Sequence, residues 1–335
     1  MIQKLVLGVD LGWMTQLEDM GMRWVDEKGQ ETDLLDDVIA KGADAVRLRV
    51  FVDPPKDAYW QKAEDVLCML GYCDAQSVLQ AAKRVREKKL KLMLDFHYSD
   101  HFADAQIQDI PEAWLSDSDE ELAEHVYAHT KEVLTLFKEE GICPEWVQVG
   151  NEINPGLLLP RGDVRENPQL MVKVLNRGYD AVKECLPDCQ VITHLAGVTS
   201  KRGCDPFLDA FFALGGKTDI LGFSYYPFWD KKMDSDEPAR FYNPLITYAQ
   251  KFGKPVMICE VGEEATQEER SAEVIANTIE AVLQVPDHQG LGVFFWEPEV
   301  SADMVPDGYP LGAARLVADK TLQLTEALAV YRKYR

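Results

Sequence analysis

Two short apolar runs each end on a glutamate, Trp146-Val-Gln-Val-Gly-Asn-Glu152 and Pro255-Val-Met-Ile-Cys-Glu260. Each reads as a buried parallel strand whose last residue emerges at the C-terminal rim of a sheet, where α/β barrels place their chemistry. A carboxyl pair there suits glycoside hydrolysis, in which one acid protonates the leaving oxygen while the other attacks or activates water. Glu152 is the expected general acid/base and Glu260 the expected nucleophile. Other predicted strand ends bring Arg47, Arg49, Asp95, His97, Asn151, His194, Tyr225, Tyr226 and Trp296 to the same rim. Arg47 and the phenol of Tyr225 or Tyr226 are expected to keep Glu260 ionised, and that charge raises the pKa of a nearby Glu152. Asn151 is placed to hydrogen-bond a sugar hydroxyl. Trp296, with Trp229 and Trp114 on loops, offers flat apolar faces for sugar rings. Taken singly, each has a blander role: Glu260 as an ion-pair partner of Arg47, His97 and His194 as satisfied core histidines, Trp296 as core. Their convergence on one rim favours a site, although Glu263 and Glu264 compete with Glu260 for the acidic role.

For these side chains to meet, strands must run the same way around one rim. Eight apolar runs fit: Leu5 to Asp10, Ala45 to Phe51, Lys91 to His97, Trp146 to Asn151, Val191 to Leu195, Ile220 to Tyr225, Val256 to Glu260 and Leu291 to Trp296. Between them, Leu34 to Lys41, Ala75 to Lys88, Asp119 to Glu140, Leu170 to Cys185, Pro206 to Leu214, Pro238 to Lys251 and Glu268 to Leu283 carry apolar residues at helical spacing. Leu316 to Tyr334 is expected to add a closing helix. The alternation predicts an α/β protein, a (β/α)8 TIM barrel forming a single domain over residues 1–335. Gly42, Gly141 and Gly253 sit where helices should end. Long loops follow the second (Asp53 to Gly71), third (Tyr98 to Ser116), fourth (Asn154 to Pro168), sixth (Pro227 to Asp236) and eighth (Pro298 to Pro310) runs, enough to build a groove. Strand alternation puts Arg47 with Arg49 and Asp95 with His97 on shared faces, and charges facing a barrel interior require partners.

The chain has 335 residues, 46% hydrophobic and 27% charged, which fits one large core. Its net charge of −22 repels phosphate, so neither nucleic acid nor an anionic membrane is an expected partner. No stretch approaches the roughly 20 apolar residues of a membrane span. The first residues, Met1 to Asp10, run straight into a strand, so the expected location is cytoplasmic, or secreted with the signal peptide absent from this chain. Seven cysteines without framework spacing suggest mostly reduced thiols. Cys185 with Cys189, or Cys68 with Cys73, could form a local bridge or a metal half-site, the less favoured reading. His125 and His129 share a helix face but lack the zincin glutamate, so packed or solvated histidines are expected. Ser118 is a candidate N-cap ahead of Glu121. No glycine-rich phosphate loop appears, and no cofactor or metal is expected.

Four segments, Leu94-Asp-Phe-His-Tyr-Ser-Asp100, Val147-Gln-Val-Gly-Asn-Glu-Ile153, Gly222-Phe-Ser-Tyr-Tyr-Pro-Phe-Trp229 and Gly292-Val-Phe-Phe-Trp-Glu-Pro298, resemble glycoside hydrolase family 53, the endo-β-1,4-galactanases. Val46-Arg-Leu-Arg-Val50 is in register with the same family, and the similarity extends from Gly8 to the final helix. The resemblance implies a clan A barrel, retention of anomeric configuration, the acid/base on Glu152, the nucleophile on Glu260, and supporting roles for Arg47, Asn151 and the sixth-strand tyrosines. The chain departs from the family pattern in the sugar-binding loops. His101-Phe102-Ala103-Asp104-Ala105 stands where Thr-Trp-Ala-Asp-Pro is usual. Leu159 replaces a tryptophan, and Val261-Gly262-Glu263-Glu264 replaces an aromatic-containing segment. The family's calcium loop has no clear match. Smaller aromatic surfaces are expected to weaken binding of a long chain.

The leading expectation is therefore a retaining endo-acting enzyme on β-1,4-galactan, the arabinogalactan side chains of pectin. A retaining β-glycosidase on another or shorter β-linked oligosaccharide is the first alternative, and a carbohydrate-binding barrel without turnover is the second.

Overall fold

A computed structural model of the chain describes residues 5–229 and 237–335. All eight apolar runs form strands: β1 (Val6–Asp10), β2 (Ala45–Val50), β3 (Lys91–Phe96), β4 (Trp146–Val149), β5 (Gln190–Leu195), β6 (Ile220–Tyr225), β7 (Val256–Val261) and β8 (Gly290–Phe295). Each strand pairs in parallel with its neighbours in sequence, and β1 also pairs with β8, which closes the barrel. Strands buried on both faces read as continuous apolar runs, which is why they stand out in the sequence. Val6, Ala45, Met93, Ile192, Met257 and Phe294 belong to a compact apolar cluster distinct from the larger core. Arg47 and Asp95 lie two residues beyond Ala45 and Met93 and face the same way, so the barrel interior changes from apolar to charged toward the strand ends.

The helices are α1 (Met14–Asp19), α2 (Leu34–Lys41), α3 (Ala75–Glu87), α4 (Asp119–Glu139), α5 (Pro168–Cys185), α6 (Lys201–Ala213), α7 (Glu237–Phe252) and α8 (Glu268–Leu283). Asp33 and Asp74 cap α2 and α3 by accepting from backbone N–H groups, and Ser118 with Glu121 forms a capping box on α4. Gly42 ends α2 in the left-handed region at φ 108°. Helix α1 was not expected, because six residues are too few to display a period.

The expected helix from Leu316 to Tyr334 is replaced by a hairpin, Ala314–Ala318 with Thr321–Leu324, followed by a 3₁₀ helix at Glu326–Tyr334. Lys320 turns the hairpin at φ 51°, and the second strand pairs with Arg23–Val25 near the start of the chain. That distant partner overrides a local pattern that fits a helix. The loop after β2 holds another hairpin, Tyr59–Ala63 with Val66–Met69. Of the loop expected after β6, Pro227–Trp229 form a 3₁₀ turn, while residues 230–236 lie outside the described residues, as do Met1 to Lys4. Among the described residues, no helix is long and apolar enough to cross a membrane. All seven cysteines are free thiols.

Candidate active site

Arg47, buried within β2, is the hub of the site. Its guanidinium donates to Asp10, to Asp95 Oδ2 at 2.7 Å, to Asn151 Oδ1 at 2.8 Å and to Gln148 Oε1 at 3.3 Å, and pairs with Glu260 Oε1 at 2.9 Å. Burial opposes its charge, but Asp95, Asp10 and Glu260 hold it protonated. A guanidinium suits this position because its fan of donors meets several acceptors in one plane. Burial also works against ionisation of Asp95, yet Arg47 and His97 outweigh it and keep that acid below the ordinary carboxylate value. His97 Nδ1 accepts from Ala103 N–H at 2.9 Å, so its Nε2–H donates to Asp95 Oδ2 at 2.9 Å.

Glu260 emerges from β7. Besides Arg47 it accepts from the Tyr226 hydroxyl at 2.7 Å, so of the two tyrosines Tyr226 holds the carboxylate, while Tyr225 is buried in the cavity wall. Burial raises the Glu260 acid above its ordinary value, and Arg47 and Tyr226 pull it back. Glu152 lies in the bend after β4, half-buried, with the left-handed φ of 49° that follows Gly150 at φ 85°. That conformation is uncommon for a side chain longer than Asn. Burial first, and then the Glu260 charge, push its acid up to about 8.

Asn151 is held in one orientation. Its Oδ1 accepts from Arg47 and from Gln148 Nε2 at 3.0 Å, while its Nδ2 donates to Ala103 O at 2.8 Å. His194 Nδ1, 2.8 Å from that same Oδ1, must then be the donor, which leaves Nε2 to accept from Ser224 Oγ at 2.8 Å. Burial, reinforced by Arg47, drives His194 well below its usual pKa and keeps it neutral. The Ser224 hydroxyl also bonds the Glu152 carboxyl. That contact works against the rise and favours the ionised form of Glu152.

A cavity of about 700 Å³ opens over these groups, within the usual range for a small-molecule site. Arg47, His97, Asn151, Glu152, Tyr225, Tyr226, Trp229, Glu260 and Trp296 all line it, whereas Asp95 and His194 lie behind it as partners of lining residues. Trp114 does not reach the cavity, contrary to expectation. It is buried with its ring stacked on His125 at 5.2 Å, because its 3₁₀ turn packs down onto α4. His129 packs edge-on to Phe96, and burial lowers its pKa to about 4. Glu263 is buried near Arg270, and neither Glu263 nor Glu264 lines the cavity. Leu159 also lies outside it, its N–H bonded to Gln108 O at 2.7 Å. Phe102 does line the cavity, under the Arg49 guanidinium at 4.7 Å. Among the described residues, no group of three or more His, Cys, Asp or Glu side chains is arranged to hold a metal ion.

Several lining residues escaped the sequence reading. Asp10 ends the first apolar run, so the rule that found Glu260 could have found it. Trp13, Trp60 and Tyr309 sit in loops, where no period marks them. Trp13 packs edge-on to Trp296 at 5.3 Å, and Tyr309 to Trp296 at 5.0 Å. Beside the cavity, Glu297 pairs with Arg49 and accepts from Gly12 N–H at 3.1 Å. A Cβ on Gly12 would stand 2.1 Å from Arg49 Nη1, so a side chain there would push the guanidinium off Glu297.

The family model described as Glycosyl hydrolase family 53 matches residues 6–331. A Niallia circulans protein described as an uncharacterized protein in the bgaB 5′ region is 32% identical over 323 residues, covering 88% of this chain and 83% of that one. An arabinogalactan endo-β-1,4-galactanase of Cellvibrio japonicus (strain Ueda107) is 30% identical over 319 residues, covering 87% and 80%. The solved structure titled as the Ignisphaera aggregans GH53 catalytic domain superposes with a TM-score of 0.82 at 28% identity, covering 98% of this chain and 96% of that one.

Proposed function

The chain belongs to glycosyl hydrolase family 53 and is a glycoside hydrolase, and from that premise we propose that it cleaves β-1,4-galactan internally, by double displacement with retention. The galactan assignment is carried over from relatives bearing the galactanase name. The mechanism rests on one observation: Glu260 is held by Arg47 at 2.9 Å and Tyr226 at 2.7 Å, while Glu152, facing its charge in the same cavity, is pushed up to about 8. The first acid is kept as a carboxylate and the second keeps its proton near neutrality, the division a retaining glycosidase needs.

In this mechanism the Glu260 carboxylate attacks C1 of the bound galactosyl unit as Glu152 gives its proton to the departing glycosidic oxygen. A glycosyl ester forms on Glu260. Glu152, now a carboxylate, takes a proton from water, which attacks C1 from the face the leaving group vacated and releases Glu260. Asn151, fixed by Arg47, Gln148 and Ala103, presents its amide to a sugar hydroxyl, and Trp296 offers a face to the ring. The seven free thiols suit a reducing compartment.

Proton NMR of a digest of linear β-1,4-galactan gives the direct test. The β-anomer of short galacto-oligosaccharides should appear first and mutarotate later. Initial α-anomer would rule out double displacement, and cleavage of a different β-linked glycan alone would move the substrate to the first alternative. Glu260→Ala should abolish turnover. Glu152→Ala should spare aryl glycosides with good leaving groups and respond to added azide, and equal loss on activated and unactivated substrates would remove Glu152 from the acid/base role.

A further inference from the structure

The cavity extends past the groups just described, to the hairpin Tyr59–Ala63 with Val66–Met69. Trp60, on its first strand, is half-buried and lines the cavity. His101 stacks on the Trp60 ring at 3.8 Å with an interplanar angle of 6°. His101 is itself fixed, with Nδ1 bonded to Phe102 O at 3.0 Å and Nε2 3.3 Å from Asp109. The far strand is tied across the mouth, since Cys68 Sγ donates to Asp307 Oδ2 at 3.4 Å in the loop after β8. Trp60 is thus an aromatic plate backed by a second ring, carried on a hairpin anchored at both sides. Lys62 and Asp307 line the cavity beside it as polar groups.

The barrel order fixes which end of a sugar chain this plate would meet. β5 and β6 lie across the barrel from β1 and β2. Ala196, Gly197, Thr199, Ser200 and Trp229, after β5 and β6, line the cavity from that side of the barrel, while Trp13 and Trp60, after β1 and β2, line it from the opposite side. Glu152 follows β4, next to the first of these sides, and must face the leaving group it protonates. The non-reducing part of the chain therefore extends from Glu260 toward Trp13 and Trp60.

We propose that Trp60, backed by His101, forms a carbohydrate subsite for a β-linked galactosyl unit on the non-reducing side of the cleaved bond. The proposal rests on the β-1,4-galactanase reading above. Phe102 covers Arg49, His101 supports Trp60, and the stacking face comes from the β2 hairpin.

The test uses 4-nitrophenyl glycosides carrying one to four β-1,4-linked galactosyl units, because every added unit extends only toward the non-reducing side. In the wild type, kcat/KM should rise by about tenfold at one chain length, the size of a good aromatic contact. In Trp60→Ala that step should vanish, mainly through KM, so the deficit against wild type grows with length. Trp60→Phe should restore most of the step, and His101→Ala should lose part of it. A step that survives in Trp60→Ala, or an equal loss at every length, would overturn the subsite while leaving the galactanase reading intact. A wild type that cleaves none of the series would overturn both.

Discussion

The two glutamates carry the same functional group and are set apart only by what surrounds them. Glu260 accepts from a guanidinium and a phenol, whereas Glu152 is held by burial and by the Glu260 charge it faces. Above a pH of about 8 Glu152 loses its proton, so kcat/KM on unactivated substrates should fall with a midpoint there. A like charge disfavours ionisation, so its removal by Glu260→Gln should lower the Glu152 pKa. A carboxyl 13C titration of the variant that moved Glu152 upward, or left it in place, would contradict this coupling. Asp104, Tyr226, Tyr309 and Cys204 also face Glu152. Against that constant background, Ser224→Ala should move the alkaline limb to higher pH, because it deletes a hydrogen bond that holds the Glu152 acid down. An opposite movement would mean that the hydroxyl accepts the proton of the neutral acid. These assignments follow from counting donors and acceptors around Asn151, which no sequence pattern carries. The sequence could point to His194 but not to which nitrogen bears its hydrogen.

Strand ends are where the chain was most readable. A run buried on both faces announces itself by composition, and its last residue is then placed at the rim by the barrel's own geometry, which is how Arg47, Asn151, Glu152 and Glu260 could be grouped. Elements defined by distant pairing were not readable. Thr321-Leu-Gln-Leu324 becomes a strand because Arg23–Val25 lies beside it, and the intervening sequence holds no trace of that. The aromatic wall of Trp13, Trp60 and Tyr309 was missed for a related reason, since loops have no period. Of the two positions where less aromatic surface was expected, Phe102 lines the cavity and Leu159 does not. The bend after β4 gives a prediction at this scale. At ordinary positions Gly destabilises relative to Ala by roughly 0.5–1 kcal/mol. At residue 152 the left-handed backbone removes that disadvantage. Urea unfolding should therefore find Glu152→Gly at least as stable as Glu152→Ala, and a deficit of the ordinary size would show the bend to be unstrained.

At the scale of the whole molecule, the charge of −22 surrounds a site meant for a neutral ligand. Salt should therefore change KM for galactan little, whereas a polyanionic substrate would show a steep dependence. The barrel has one seam where the order of the chain and the order of the sheet disagree. β1 meets β2 within about fifty residues on one side, but on the other it waits for β8, at Gly290–Phe295. Tyr331 then fastens the seam by donating to Gly8 O at 2.8 Å. On the ribosome, β1 therefore keeps a bare edge until β8 follows it, while every later strand up to β7 already has its earlier neighbour. An open edge is a template for pairing with another chain. Nascent chains arrested before β8 leaves the exit tunnel should remain protease-sensitive and bind chaperones, and both properties should drop sharply once the last strand and Tyr331 are out.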